Sequence, residues 1–228
     1  MSLLHYIDAF NPNFFNYLLL CLRSSWDLVR FSSQEILLGF PDNHHLLSGE
    51  YLHTTLLPIA EDLTKNPVIR NAEGGALILS LIDKKFVNKI DFSRIDYSRE
   101  GKDLPQDLLP SLKFAYYVLG LLEKRFKKLQ EHFLTDSSEY SNNLIHGLIT
   151  ALGFLVQDLP KSEELKAPEN KSAFRNFFHD LSETLGRVLS YATKLSADNI
   201  STCILDNNAT VKKFNNEIQG MRLGSFFV

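Results

Sequence analysis

The sequence predicts an all-α protein, an irregular bundle of about seven helices around one core. Three observations predict this fold class. Apolar residues recur at intervals of three and four along almost the whole chain, which is the period of an α-helix. The chain has 228 residues, of which 44% are hydrophobic, enough to bury one large core. The connections between the periodic segments are too long for a simple four-helix bundle.

The first half of the chain predicts three helical segments, each with an irregularity. They are residues 13–31, which residues 34–40 continue, residues 46–63, and residues 67–87. Pro12 suits the start of the first segment, because the first helical turn does not use its missing N–H. Pro58 is expected to kink or divide the second segment. Gly74 and Gly75 are expected to interrupt the third, because glycine has a low helix propensity.

The second half predicts three longer and more regular helices, over residues 110–134, 138–159 and 171–197. The first of these has one wide apolar stripe opposite a charged face, and Pro110 suits its first turn. The middle helix is apolar nearly all round, so we expect it to lie at the centre of the bundle. Gly147 and Gly153 in this helix are expected to let a neighbouring helix approach closely.

The domain organisation follows from the least periodic stretch, residues 91–107, where Asp, Ser, Arg, Gly and Pro alternate with isolated apolar residues. The chain is expected to form a single helical domain over residues 1–228. The alternative is two helical halves, 1–90 and 108–228, joined by this loop-rich stretch. Beyond the last long helix the pattern weakens, and it predicts a short strand over 200–205 and a short helix over 211–221.

Charge and cysteine usage exclude several classes of protein. The net charge of −3 and pI of about 6.2 give no basic excess for nucleic acid. Two cysteines without metal-ligand spacing, Cys21 and Cys203, are expected to be reduced thiols, which favours a cytoplasmic protein. The N-terminus lacks the pattern of a signal peptide, and the longest apolar run, residues 17–22, is far too short for a membrane span. No cofactor is expected.

The sequence contains no nucleophile elbow, Walker loop or zinc-protease motif, so we expect no catalytic residue and no metal ligand. The histidines closest to a metal pattern are His44, His45 and His53. Glu50 and His53 have the spacing of a di-iron Glu-x-x-His motif, but that motif is needed twice and occurs once. In the helices, His146 and His179 follow an asparagine at this spacing instead, Asn143 and Asn176 respectively.

A basic cluster lies in the predicted helix 110–134. Its residues are Lys124, Arg125, Lys127 and Lys128. Such a cluster is most often a solvated helix face, and the alternative is a surface that contacts an acidic partner, anionic lipid or RNA. Glu123 and Glu131 flank it and dilute its charge.

The C-terminus ends in Phe226-Phe227-Val228, an apolar chain end that is either docked on the domain or available to a partner. In this tail the chain resembles effectors delivered by the type IVB (Dot/Icm) secretion system of intracellular bacteria, which often carry an apolar residue third or fourth from the end, as Phe226 is here. The run of glutamates that often precedes such ends is missing, and only Glu217 lies in that window. The resemblance implies delivery into a host-cell cytosol and implies no activity.

Together these observations predict a non-enzymatic protein–protein interaction module, acting as an effector, an adaptor or a modulator of another protein. The expected binding residues are the basic cluster Lys124, Arg125, Lys127 and Lys128 together with Phe226 and Phe227. The alternative is an enzyme whose site is assembled from scattered residues around His44–His53, with Glu61 and Asp62 as the acids opposite.

Overall fold

The computed structural model describes residues 12–24, 26–39, 48–99, 104–105, 107–133, 145–159 and 168–198. These residues form seven helices and no β-strand, which confirms the all-α prediction. The helices are α1 (Pro12–Cys21), α2 (Asp27–Leu38), α3 (49–64), α4 (69–89), α5 (Pro110–Phe133), α6 (His146–Asp158) and α7 (Pro168–Asp198). One apolar core cluster contains side chains from all seven. The strand and helix predicted after residue 199 lie outside the described residues.

The single helix predicted over residues 13–31 is wrong, because the chain leaves α1 at Cys21 and begins α2 at Asp27. The turn between them is stabilised by Ser24, whose side-chain oxygen accepts the Trp26 N–H at 3.2 Å. The Ser24 carbonyl accepts a hydrogen bond from the Arg30 guanidinium at 2.6 Å. A serine that offers the backbone such alternatives favours a helix end over a helix interior.

Helix α3 runs through Pro58 with a local change of winding. It begins at Ser48, whose side chain accepts the Tyr51 N–H, and the segment Leu52–Leu56 is a π-helix. The α-helical part, Leu57–Thr64, has Pro58 in its first turn. A proline cannot donate the helical hydrogen bond and crowds the preceding turn. The irregularity predicted at Pro58 therefore takes the form of a π segment just before it.

The interruption predicted at Gly74 and Gly75 is wrong, because α4 continues through both glycines. Their role is close packing. A Cβ atom on Gly75 would lie 2.6 Å from the Thr64 backbone nitrogen and 2.8 Å from the Ala60 carbonyl oxygen. A Cβ on Gly74 would lie 2.8 Å from the carbonyl oxygen of Leu22. The two glycines let α4 approach the backbones of α3 and of the α1–α2 turn.

We expect Gly75→Ala to lower the free energy of unfolding by about 1–3 kcal/mol, because the new methyl group meets backbone atoms that cannot rotate away. Gly186→Ala is the matched control, since a Cβ at Gly186 on α7 has no atom within 4 Å. That variant should gain about 0.5–1 kcal/mol from the better helix propensity of alanine. Urea unfolding followed by circular dichroism measures both changes. A shift of the same sign in the two variants would contradict the packing role of Gly75.

The three helices predicted for the second half are confirmed as α5, α6 and α7, although residues 138–144 of the middle prediction lie outside the described residues. Helix α6 packs against α3, α4 and α5, the central position that its apolar character predicts. Gly147 makes this possible, because a Cβ there would lie 2.8 Å from both the Ala72 carbonyl oxygen and the Thr64 Cα. Within 91–107, the described residues lie outside helices.

Candidate functional site

The predicted basic cluster is divided by its surroundings on α5. Lys124 donates to Asp96 Oδ2 at 2.6 Å, and both side chains are more than half exposed. Hydrogen bonds from Lys124 and Ser98 lower the pKa of Asp96 to about 2, so this carboxylate neutralises Lys124 at neutral pH. Arg125 is half-buried, whereas Lys127 and Lys128 are exposed. Lys127 and Lys128 are thus the two lysines of the cluster that are exposed to solvent beside the paired Lys124. Among the described residues, no ion pair of Lys128 is present.

The other residues that the sequence singled out are only partly visible. Phe226, Phe227, His44 and His45 lie outside the described residues. Their roles stay predictions.

Glu50 and His53, the two residues with metal-ligand spacing, hold a loop against α3. Arg94 donates to Glu50 Oε2 at 2.7 Å, and the Asp91 N–H donates to His53 Nε2 at 2.9 Å. The hydrogen bond and charge of Arg94 lower the pKa of Glu50, and burial followed by the charge of Arg94 lowers the pKa of His53. The two acids predicted opposite them have different surroundings. Glu61 accepts a hydrogen bond from the Tyr117 hydroxyl, whereas the side chain of Asp62 is 84% exposed.

Over its first two turns, helix α2 buries polar side chains and exposes apolar ones, the reverse of an ordinary surface helix, whereas Leu37 near its end lies in the core. Leu28 is 78% exposed and Phe31 is 47% exposed. The residues that it buries are Arg30, Ser33, Gln34 and Leu37. Rotating α2 so that its apolar side chains were buried would leave its polar side chains without their hydrogen-bond and ion-pair partners.

The buried polar side chains of α2 are held by α4 and by the α1–α2 turn. Arg30 forms an ion pair with Glu73 at 2.8 Å and also donates to the Ser24 carbonyl. The Gln34 amide donates to the Leu77 carbonyl at 3.3 Å. Hydrogen bonds to a charged group contribute about 1.5–3 kcal/mol each. These contacts fix the rotation of α2 and keep its apolar side chains at the surface.

Helix α1, which packs against α2, adds further exposed apolar residues. Tyr17 is 62% exposed, Leu20 is 59% exposed, and Trp26 in the turn is 74% exposed. We call Tyr17, Leu20, Trp26, Leu28 and Phe31 the α1–α2 apolar surface. Its three rings alone expose on the order of 350 Å², since an aromatic side chain carries about 150–250 Å². An exposed apolar patch of a few hundred Å² is comparable to the largest patch on an ordinary monomer, and such patches are often functional.

A second polar centre lies between α5, α7 and the loop that precedes α5. The Arg99 side chain, only 4% exposed, contacts Glu123 Oε1 at 2.5 Å and Asp180 Oδ1 at 2.8 Å. Thr184 Oγ1 donates to Glu123 at 2.7 Å, and Arg187 donates to the same oxygen at 3.0 Å. Arg99 thereby ties the loop to both helices.

The hydrogen bonds and charges within this centre favour the ionised form of Glu123. Burial raises the pKa of Glu123, but the hydrogen bonds from Arg99 and Thr184 and the charges of Arg99 and Arg187 outweigh it, so the pKa lies below its ordinary value. The Tyr116 hydroxyl donates to Asp180 Oδ2 at 3.2 Å. Burial and the charge of Asp180 raise the pKa of Tyr116, which keeps its hydroxyl protonated as a donor.

A pocket of about 370 Å³ opens beside this centre. Both apolar and polar residues line it, namely Leu104, Pro105, Leu108, Tyr116, Ala173, Asn176, His179 and Asp180. His179 and Asp180 form a cluster with Glu183 on one turn of α7, in which one ligand atom from each residue lies within 4.8 Å of the others. These three residues could hold a metal ion.

The sequence predicted neither the His179–Asp180–Glu183 cluster nor the α1–α2 apolar surface. His179 and Glu183 have a helical i, i+4 spacing, but the metal motif considered in the sequence has its glutamate before the histidine. The α1–α2 apolar surface was not predicted, because the sequence predicted one helix over 13–31 and therefore no second helix beside the first.

None of the described helices combines the length and the apolar character that crossing a bilayer requires. Comparisons of the chain with protein-family models, with curated proteins and with solved structures give no match. What the protein does is therefore inferred from its own residues.

Proposed function

We propose that this chain is a protein–protein interaction module, an adaptor, effector or modulator of another protein, which binds its partner through the α1–α2 apolar surface. The observation that carries the proposal is the reversed polarity of α2. Arg30 and Gln34 are bonded inward, and Leu28 and Phe31 are left in water. Burying a leucine or phenylalanine side chain contributes about 1.5–3 kcal/mol, a gain that the isolated chain leaves unrealised.

The composition of the surface suits protein recognition. Trp26 and Tyr17 belong to the residue types that dominate binding energy at interfaces, where a few central side chains carry most of the affinity. The exposed charged side chains around them include Arg23, Asp27 and Glu35, of both signs. A mixed rim of this kind favours a protein partner over an anionic membrane, which would select lysine and arginine.

The test is binding by the full chain and by the double variant Leu28→Glu/Phe31→Glu. A partner is first identified by affinity capture and mass spectrometry, and its affinity is then measured with purified proteins. We expect the double variant to bind at least about thirtyfold more weakly, the effect of losing a hot spot of about 2 kcal/mol. Thermal unfolding should change little, because both side chains are exposed in the free chain.

The matched control is Gln130→Glu/Ser172→Glu, which adds the same charges at exposed polar positions of α5 and α7, away from the α1–α2 apolar surface. This control should bind as the unmodified chain does. A partner that binds the Leu28→Glu/Phe31→Glu variant with unchanged affinity would refute the assignment of the surface. Sedimentation of the chain alone over a concentration series shows whether a second copy is the partner.

The resemblance of the C-terminal tail to type IVB effectors extends the proposal to a partner in a host cell. A reporter enzyme fused before residue 1 would reveal delivery into host cytosol by a bacterium with a functional Dot/Icm system. The fusion carrying Phe226→Ser/Phe227→Ser should be delivered less. Equal reporter signals from a secretion-deficient strain would count against this extension and would leave the binding proposal intact.

A further inference from the structure

We propose that His179, Asp180 and Glu183 form a zinc-binding site that opens onto the pocket between α5, α7 and the loop before α5. The three residues lie on one turn of α7, and His179 Nδ1 is 3.8 Å from Asp180 Oδ1. Ligands at about 2.0–2.2 Å from a tetrahedral zinc ion lie roughly 3.3–3.6 Å from one another. The three donor atoms lie within 4.8 Å of one another, so they must move closer together to reach that spacing, and the side chains of His179 and Glu183 are exposed.

The donor set selects the metal. One imidazole nitrogen and two carboxylate oxygens suit zinc, whereas calcium and magnesium take oxygen ligands alone. Zinc sites with three protein ligands keep a fourth position for water or a small ligand. Because His179 and Asp180 both line the pocket of about 370 Å³, the fourth position faces this space.

Asp180 is supported by the surrounding protein as a metal-bound carboxylate requires. Its Oδ2 atom accepts the Tyr116 hydroxyl at 3.2 Å, and its Oδ1 atom contacts Arg99 at 2.8 Å. Such outer contacts orient a ligand before the metal arrives. The side chain is 8% exposed, so its position is set by the core and not by solvent.

Charged side chains of both signs surround the three residues. Three carboxylates, those of Glu123, Asp180 and Glu183, lie around the centre and are balanced by the guanidinium groups of Arg99 and Arg187. The neighbouring Arg99 limits the affinity, since its guanidinium shares Asp180 with the ion.

The experiment is isothermal titration of the chelator-treated full chain with Zn²⁺, repeated on His179→Asn and Glu183→Gln. We expect one ion per chain and an affinity at least about tenfold weaker in each variant, because loss of even an outer contact costs about 10–100-fold. Co²⁺ in place of Zn²⁺ gives a visible spectrum that reports low-symmetry, four-coordinate binding. Both substitutions are at exposed positions, so circular dichroism should show an unchanged fold.

Ser182→Ala, on the exposed side of the same turn, is the control and should bind zinc as the unmodified chain does. The absence of saturable binding at a large excess of Zn²⁺ would overturn the proposal. So would binding that His179→Asn and Glu183→Gln leave unchanged, because the ion would then lie elsewhere in the chain. Neither outcome bears on binding through the α1–α2 apolar surface.

Discussion

Replacing Arg99 with alanine should lower the free energy of unfolding by about 3–5 kcal/mol, the cost of removing one partner from a buried ion pair. The Arg99 side chain is 4% exposed and contacts the carboxylates of Glu123 and Asp180, which are themselves 20% and 8% exposed. Without Arg99 the two carboxylates remain in a region that water reaches poorly. The loop that carries Arg99 also loses its contact with α5 and α7.

Chemical unfolding of Arg99→Ala, followed by circular dichroism, measures this loss. Arg94→Ala is the matched control, because Arg94 forms an arginine–glutamate ion pair with Glu50 at the surface. The two side chains are 42% and 67% exposed. Exposed pairs contribute little, so this variant should unfold close to the unmodified chain. Equal losses in the two variants would show that burial adds nothing to the Arg99 contacts.

The positions of the helices could be predicted from sequence because helical periodicity is a local signal. Helix α5, predicted over 110–134, is observed over Pro110–Phe133. The predictions that were wrong concern residues whose packing or hydrogen-bond partners lie far along the chain. Gly75 lies within a helix because α3 packs against it, and α2 has its rotation because Gln34 reaches a carbonyl 43 residues away. A propensity scale contains neither fact, since tertiary contacts override it.

The candidate sites were less accessible to prediction for the same reason. Arg99 stood in a stretch that predicted only a loop, and its partners Glu123 and Thr184 lie 24 and 85 residues further along. The sequence places His179 and Glu183 as a pair on one helix face. Asp180 is oriented by its contacts with Tyr116 and Arg99, which the sequence does not reveal. Residue spacing identifies metal-donor side chains on one helix, whereas the contacts that orient those side chains come from the packing of several elements.

Asp83→Asn is expected to stabilise the protein at pH 8 and to have little effect near pH 4. Asp83 lies in the π segment Ile82–Phe86, and it is 9% exposed. Its Oδ1 atom has no hydrogen-bond partner within the described ranges. Burial and the charge of Asp158 raise the pKa of Asp83 from 3.8 to about 7, against the smaller opposing effect of Lys84.

The direction follows from proton binding. Between about pH 4 and pH 7 the folded chain keeps a proton on Asp83 that the unfolded chain has lost, so rising pH favours unfolding. This contribution is complete below the unfolded pKa and is gone above the folded one, a change of a few kcal/mol. Asparagine has nearly the same shape and cannot ionise. The stability difference between variant and unmodified chain should therefore grow from pH 4 to pH 7 and then level off.

Urea unfolding at several pH values measures that difference, and subtracting the unmodified chain removes the titration of every other group. Asp62→Asn is the control, because Asp62 is 84% exposed and its replacement should change the free energy of unfolding at pH 8 far less than Asp83→Asn does. If Asp83→Asn and the unmodified chain changed in parallel from pH 4 to pH 8, Asp83 would have to be ionised at little cost. Its carboxylate would then have a partner or water contact that the packing of α4 against its neighbours does not provide.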